Sequence, residues 1–250
     1  MSASIVGMCR VNIGRVAGEA SHIPASLQWR QMTSVCFKPL VHCWRVAPVP
    51  ILRRRYSAID PSMRAFSAHR SVLLLIDLQK AIDHPDWGVR NNPSAEADIA
   101  RLLFRWRAEH WPVWHVKHDS VEPGSHYRPG QPGNDFKPEV APLPGEPVIS
   151  KRTNNAFIDT GLEDRLRAEG HTRLVVAGVI TNNSVEATVR MAGNLGFDTC
   201  LVANGCFTFG RVDWDGRMRS ADEVHAMSLA NLHGEYCTVV SADDLLNGLK

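Results

Sequence analysis

Residues Arg173–Phe197 read RLVVAGVITNNSVEATVRMAGNLGF. Arg173 to Ile180 form an apolar run after a single arginine, the pattern of a strand covered on both faces in a parallel sheet. Four polar residues, Thr181 to Ser184, break the run. Any of them can cap the helix that the spacing predicts from about Ser184 to Leu195, with a stop at Gly196. Peptide N–H groups in the first turn of such a helix are unpaired and point at incoming negative charge. Ser184 therefore stands where a nucleophile and an oxyanion hole can coexist, although the same four residues could serve only as an N-cap.

The alternation continues in both directions. SVLLLID (Ser71 to Asp77) is a second apolar run ending in charge. Ser94 can cap a helix with Ile99, Leu102, Leu103 and Trp106 on one face, and Pro112 opens the strand PVWHVKH. VIS precedes Lys151, and Thr160 with Glu163 predicts a capping box for a helix stopped at Gly170. DTCLVA and YCTVV complete the strands. Between them a helix carries its own box at Ser220 and Glu223 and stops at Gly234, and a last short helix starts at Ser241. Strands separated by helices of about ten to fifteen residues imply right-handed crossovers. The expected domain, residues 71–250, is a three-layer α/β/α arrangement with a mostly parallel sheet of about six strands. Ligands in such sheets bind beyond the carboxyl ends of the strands, which selects Asp77, Gln79, His118, Asp119, Lys151 and Thr181 to Ser184. The Pro- and Gly-rich stretch Ser120 to Pro147 is too long for an ordinary connection and is expected to cover the site.

The chain has 250 residues, 44% hydrophobic and 22% charged, a globular composition. Its uncharged apolar runs, Ser71 to Ile76 among them, are too short to span a bilayer. Six cysteines without a CxxC pair suit a reducing compartment and argue against a zinc ribbon or disulfide framework. Residues 1–70 hold ten Lys/Arg against Glu19 and Asp60, whereas the rest holds eighteen basic against twenty-four acidic side chains. This basic head has no helical period. Arg53, Arg54, Arg55, Tyr56 and Ser57 resemble the end of an organellar presequence, and a start read too far upstream of Met63 gives the same composition. Either way the head is left out of the fold, and its dispersed arginines, with no aromatic platform, argue against nucleic-acid binding.

There is no GxGxxG after a strand, no GxxxxGK[ST] loop and no GxSxG elbow, which removes most support for nucleotide binding and for the common serine-hydrolase fold. His115, His118 and His126 lie within twelve residues, but no carboxylate spacing completes a ligand shell, so neither metal nor cofactor is expected. Asp77, at the mouth of a hydrophobic strand, suits proton transfer through desolvation, or merely caps a helix. Lys151 can steady a neighbouring negative charge, or be ordinary surface.

Together, Asp77 in LLLIDLQ, Lys151 in SKRTNNAF and Ser184 in AGVITNNSVEATVRMAGNLGF resemble, in order and spacing, the isochorismatase-like cysteine hydrolases, a group with nicotinamidase, carbamoylsarcosine amidase and ureidoacrylate hydrolase relatives. The resemblance covers about residues 70 to 247 and implies an isochorismatase-like, Rossmann-like fold. It also implies a triad in which an aspartate takes the nucleophile's proton, a cysteine attacks a carbonyl and a lysine supports the charge. Asp77 and Lys151 match, and Ser184 stands at the cysteine's position. The resemblance further implies a cis Val179–Ile180 peptide, oxyanion donors at Ile180 and Ser184, and a homo-oligomer. A hydroxyl is far harder to ionise than a thiol. Three readings follow: hydrolysis of the C–N bond of a small amide-like molecule, vinyl ether hydrolysis of the isochorismatase type with Asp77 as general acid, or a non-catalytic binding or assembly protein. Gln79, Trp87, Asn155, Phe157, Phe207 and Phe209 are candidates to line a substrate pocket, and Cys206 is expected to be a buried structural thiol. The expected location is cytoplasmic, or mitochondrial if the head is a presequence.

Overall fold

The computed structural model describes residues 71–249; the expectations for the basic head lie outside the described residues. The elements run β1 (Ser71–Ile76), α1 (Ala95–Ala108), β2 (Val113–His118), β3 (Val148–Lys151), α2 (Leu162–Ala168), β4 (Arg173–Val179), α3 (Glu186–Asn194), β5 (Asp198–Phe207), β6 (Arg211–Val212), β7 (Met218–Arg219), α4 (Ala221–Leu232), β8 (Thr238–Val240) and α5 (Ala242–Gly248). Six strands form one parallel sheet in the order β3-β2-β1-β4-β5-β8. β6 and β7 make a separate antiparallel hairpin that the sequence pattern did not reveal.

β1 and β4 are the central pair, and every residue of β1 is buried. Successive side chains leave a strand on opposite faces, so Leu73 and Leu75 join α1 and α5 in one core with Ile99, Leu102, Trp106 and Leu245. Val72, Leu74 and Ile76 face α2, α3 and α4 in a second core with Leu166, Val189 and Leu232. Each such side chain contributes about 1.5–3 kcal/mol by leaving water, which is why the strands carry no polar alternation.

The caps only partly follow the local pattern. Ser220 and Glu223 form the reciprocal box, and Ser241 caps α5. Thr160 and Glu163 do not form one. The N-cap of α2 is Gly161 in a left-handed conformation; Thr160 Oγ1 accepts from Leu162 N and donates to Ala156 O, while Glu163 turns to Arg167. Ser94 holds the N-cap position of α1 without a side-chain bond. The helix after β4 starts two residues later than the spacing suggests, because Thr181–Val185 form a wide π turn first.

β4 itself depends on a glycine. The β4–β5 register shifts between Val176 and Gly178, where φ is +131° and a Cβ would lie 2.2 Å from Ile76 O. Only a residue without a side chain lets β4 approach β1 there.

Candidate functional site

Asp77, Lys151 and Ser184 are delivered by three different strand ends on the carboxyl side of the sheet. Asp77 follows β1 with φ +54°, a conformation aspartate tolerates better than most residues. Its N–H donates to Val116 O and its carbonyl accepts from Gln79 N, bending the chain out of the strand. Lys151 ends the edge strand β3, whose alternation sends Val148 and Ser150 outward and Ile149 and Lys151 inward. Ser184 lies in the wide turn after the Val179–Ile180 peptide, which is cis. Ile180 O accepts from both Asn183 N and Val185 N. The turn is held from behind by α4: His225 Nδ1 lies 2.9 Å from Thr181 Oγ1, and Ser228 Oγ donates to Thr181 O.

The three side chains meet out of contact with bulk water. Lys151 Nζ donates to Asp77 Oδ2 at 2.7 Å, to Thr153 O at 3.0 Å and to Ser184 Oγ at 3.3 Å, with His118 Nδ1 at 3.4 Å. Lys151 is 1% exposed, Asp77 4% and Ser184 7%. Asp77 Oδ1 is buried without a hydrogen-bond partner of ordinary geometry. Desolvation pushes the Asp77 carboxyl above its usual range even though the Lys151 charge and hydrogen bond pull it down. Burial, then the Lys151 charge, holds the His118 imidazole below its usual value.

The segment Ser120 to Pro147 folds over the ends of β1 and β2. The Gln79 amide donates to His118 O and Asn134 O and accepts from His118 N, and Asn134 Nδ2 donates back to Tyr127 O. Lys137 reaches from the segment to Asp83 and Glu96. Tyr127, buried with its phenol pushed well above the usual value by that burial, sets its hydroxyl 3.5 Å from Asp77 O. Gln79 is thus fully buried and engaged with this covering loop.

The remaining candidates fall into two groups. Trp87 stacks on Phe209, Phe209 meets Phe207 edge-on, and the Arg90 guanidinium lies over Phe207, all on the α1 side. Asn155 bonds to Ala187 O and Phe157 N, and Phe157 stacks on Phe197, in the opposite layer. Cys206 is fully buried in the second core, its thiol pushed up to about 12 by desolvation. The three histidines separate: His115 and His118, both in β2, face Glu146 and Lys151, and His126 of the covering segment stacks on His84. Tyr127 and Thr153 were not legible as neighbours of the site, since each arrives through a loop.

The isochorismatase domain model matches residues 71–244, spanning all six strands of this sheet. The chain belongs to the isochorismatase family. The Bacillus subtilis isochorismatase-family protein YrdC is 39% identical over 178 residues, covering 71% of this chain and 95% of that protein. A crystal structure of an isochorismatase-family protein from Chromobacterium violaceum is 65% identical, with a TM-score of 0.72 over 74% of this chain and 95% of the other. Nicotinamidase 3 of Arabidopsis thaliana is 26% identical over 192 residues, covering 72% of this chain and 88% of that protein. Among the described residues no helix is long and apolar enough to cross a membrane.

Proposed function

We propose that this isochorismatase-family hydrolase cleaves the C–N bond of a small amide-like substrate, using Asp77, Lys151 and Ser184. The observation that carries the reading is the buried Lys151 ammonium within reach of both Asp77 Oδ2 and Ser184 Oγ. Ser184 Oγ attacks the carbonyl carbon as its proton passes to Asp77, whose raised pKa makes it a better acceptor than an exposed carboxylate. The N–H groups of Ile180 and Ser184 receive the developing oxyanion, and Lys151 steadies the negative charge. Asp77 then returns the proton to the departing nitrogen, the C–N bond breaks and a Ser184 ester remains. Water, deprotonated by Asp77, attacks that ester and releases the carboxylic acid and Ser184 Oγ–H. A relative named as a nicotinamidase supports an amide as the substrate class.

The test is amine or ammonia release from a panel of small amides. Asp77→Asn and Ser184→Ala are each expected to lower kcat/KM by about 10²–10⁴-fold. Turnover that survives Asp77→Asn, or no turnover of any amide, overturns the proposal.

The raised Asp77 carboxyl also favours a second reading, in which the protonated acid donates to a vinyl ether such as isochorismate. In that case Ser184→Ala keeps activity while Asp77→Asn loses it. Under the amide reading Trp87 and Phe209, backed by the fully buried Phe207, line one wall of the pocket and Asn155 and Phe157 the other, with Gln79 setting the loop between them. We place the protein in the cytoplasm, a reading supported by the free buried thiols of Cys200, Cys206 and Cys237. We also propose a homo-oligomer, supported by the exposed Val212, Trp214 and Met218 of the β6–β7 hairpin and the exposed Met227 of α4. Light scattering tests it: Trp214→Arg is expected to lower the mass, and a monomeric parent protein overturns it.

A further inference from the structure

His84, Asp86 and His126 converge from two loops that meet at the carboxyl end of β1. His84 separates two short 3-10 turns, Lys80–Asp83 and Pro85–Trp87, and Asp86 lies in the second. His126 belongs to the covering segment and immediately precedes Tyr127, whose hydroxyl approaches Asp77 O. Asp86 Oδ2 lies 3.3 Å from His84 Nδ1 and 3.6 Å from His126 Nε2. One ligand atom from each residue lies within 4.8 Å of the others.

These spacings suit a small cation. Two donors bound to one tetrahedral zinc ion at about 2.0–2.1 Å are separated by about 3.3 Å. Both carboxylate–imidazole spacings are already close to that edge. The third, between the imidazoles, is the one that must adjust. The rings lie face to face, with centroids 3.5 Å apart and planes 19° from parallel. In such a stack the ring lone pairs run side by side, so coordination requires the two rings to splay until their lone pairs converge. The side chains have room to do so, since His84 is 37% exposed and His126 38%, and at His84 Nδ1 the ion replaces the hydrogen bond accepted from Asp86 N at 3.3 Å.

The backbones beneath them are pinned. His84 N donates to Ala81 O, and His84 O accepts from Trp87 N. On the other loop, a Cβ on Gly133 would lie 2.4 Å from His126 O, so the chain there is packed against itself as closely as glycine permits. Fixed backbones with adjustable side-chain ends are what a metal site needs to form without refolding a loop.

We propose that His84, Asp86 and His126 bind a divalent first-row transition ion of the zinc type. Two imidazoles are borderline donors and the carboxylate a hard one; the set lacks the six to eight oxygens that calcium takes and the thiolates that select soft ions. Three protein ligands leave a fourth position open to water or to a ligand. The ion ties the covering segment to the β1–α1 connection, at the residue next to Tyr127. This inference does not depend on the catalytic proposal, because none of the three residues belongs to the Asp77, Lys151 and Ser184 set.

The test uses the full chain, stripped with a chelator, dialysed and titrated with Co²⁺ and then Zn²⁺. The expected result is one equivalent of Co²⁺ with visible d–d absorption and no near-ultraviolet thiolate-to-metal band, displaced by Zn²⁺. That spectrum separates the site from any ion held by the chain's cysteines. His84→Ala, Asp86→Asn and His126→Ala are each expected to weaken binding at least ~10-fold, a floor set by the cost of losing even an outer-shell partner. His171→Ala, a histidine beside Glu169 on the far side of the sheet, is expected to change nothing. Circular dichroism checks that each variant is folded. No stoichiometric uptake by the parent protein, or uptake that His84→Ala and His126→Ala leave unchanged, overturns the proposal.

Discussion

Lys151 Nζ donates to Asp77 Oδ2 across 2.7 Å while both side chains are closed off from water. A buried pair of this kind costs desolvation on both sides, so its two halves depend on each other far more than an exposed ion pair does. Lys151→Met is expected to destabilise the fold by about 3–5 kcal/mol, because it leaves the Asp77 carboxyl buried without its partner. The double variant Asp77→Asn/Lys151→Met is expected to recover part of that loss. Urea unfolding of the single and double variants measures the coupling, and purely additive losses would contradict it.

Glu96 and Asp77 make opposed contributions to the acid-side stability of the protein. Burial works to raise the Glu96 carboxyl, but hydrogen bonds from Arg90 and Lys137 overcome it and bring it to about 2. A folded-state value below the unfolded one means that Glu96 stabilises the fold above its ordinary range and loses that contribution as pH falls from about 4.5 toward about 2. Asp77 is shifted upward, so it favours the fold at low pH and ceases to do so as pH rises through its folded value. Glu96→Gln is therefore expected to lower the urea midpoint at neutral pH and to converge on the parent protein as pH falls through that window. A gap independent of pH would rule out this assignment.

Replacing Ser184 by cysteine places a thiol in the turn that opens α3, beside the Lys151 ammonium. The helix N-terminus and that positive charge lower a thiol's pKa, while the negative charge of Asp77 opposes ionisation even as it offers a proton acceptor. Ser184→Cys is expected to be alkylated faster than Cys200, Cys206 and Cys237, whose thiols burial raises to about 12. It is also expected to create or raise amide hydrolysis. Alkylation rates across pH, compared with the parent protein, isolate the new group. An introduced thiol that titrates normally and turns over no amide would count against nucleophilic chemistry at this position.

Gly178→Ala forces a Cβ to within 2.2 Å of Ile76 O at a φ of +131°. The clash is with backbone of the neighbouring central strand, so no side chain can yield to relieve it. The expected loss exceeds the ordinary ~1 kcal/mol penalty for a misplaced alanine and threatens folding outright. Thermal unfolding measures it directly, and an unchanged midpoint would show that β4 can move away from β1.

A chain beginning at Met63 is expected to keep the parent protein's thermal midpoint. Residues 71–249 supply all six strands of the main sheet and both cores flanking it. A large drop on truncation would mean that the basic head carries a structural element.

The sheet was legible in the sequence because a strand buried on both faces must be apolar at nearly every position, as SVLLLI and LVVAGV are. The strand ends followed from the same fact, since the first charge after such a run has to lie where the sheet stops, which brought Asp77 to attention. Only the tertiary structure decided what those ends do together. Lys151 points inward because β3 is an edge strand with one covered face, and the meeting of three strand ends depends on the order β3-β2-β1-β4. The covering segment was visible only as a length without periodicity. That Gln79 anchors it, that Tyr127 reaches Asp77 O, and that His126 finds His84 rather than His115 or His118 are outcomes of loop packing between residues roughly 40 to 55 apart. Local pattern carries the burial of an element, because burial acts on each residue separately; it does not carry which loop lies against which, because that free energy belongs to pairs that meet only after the sheet has formed.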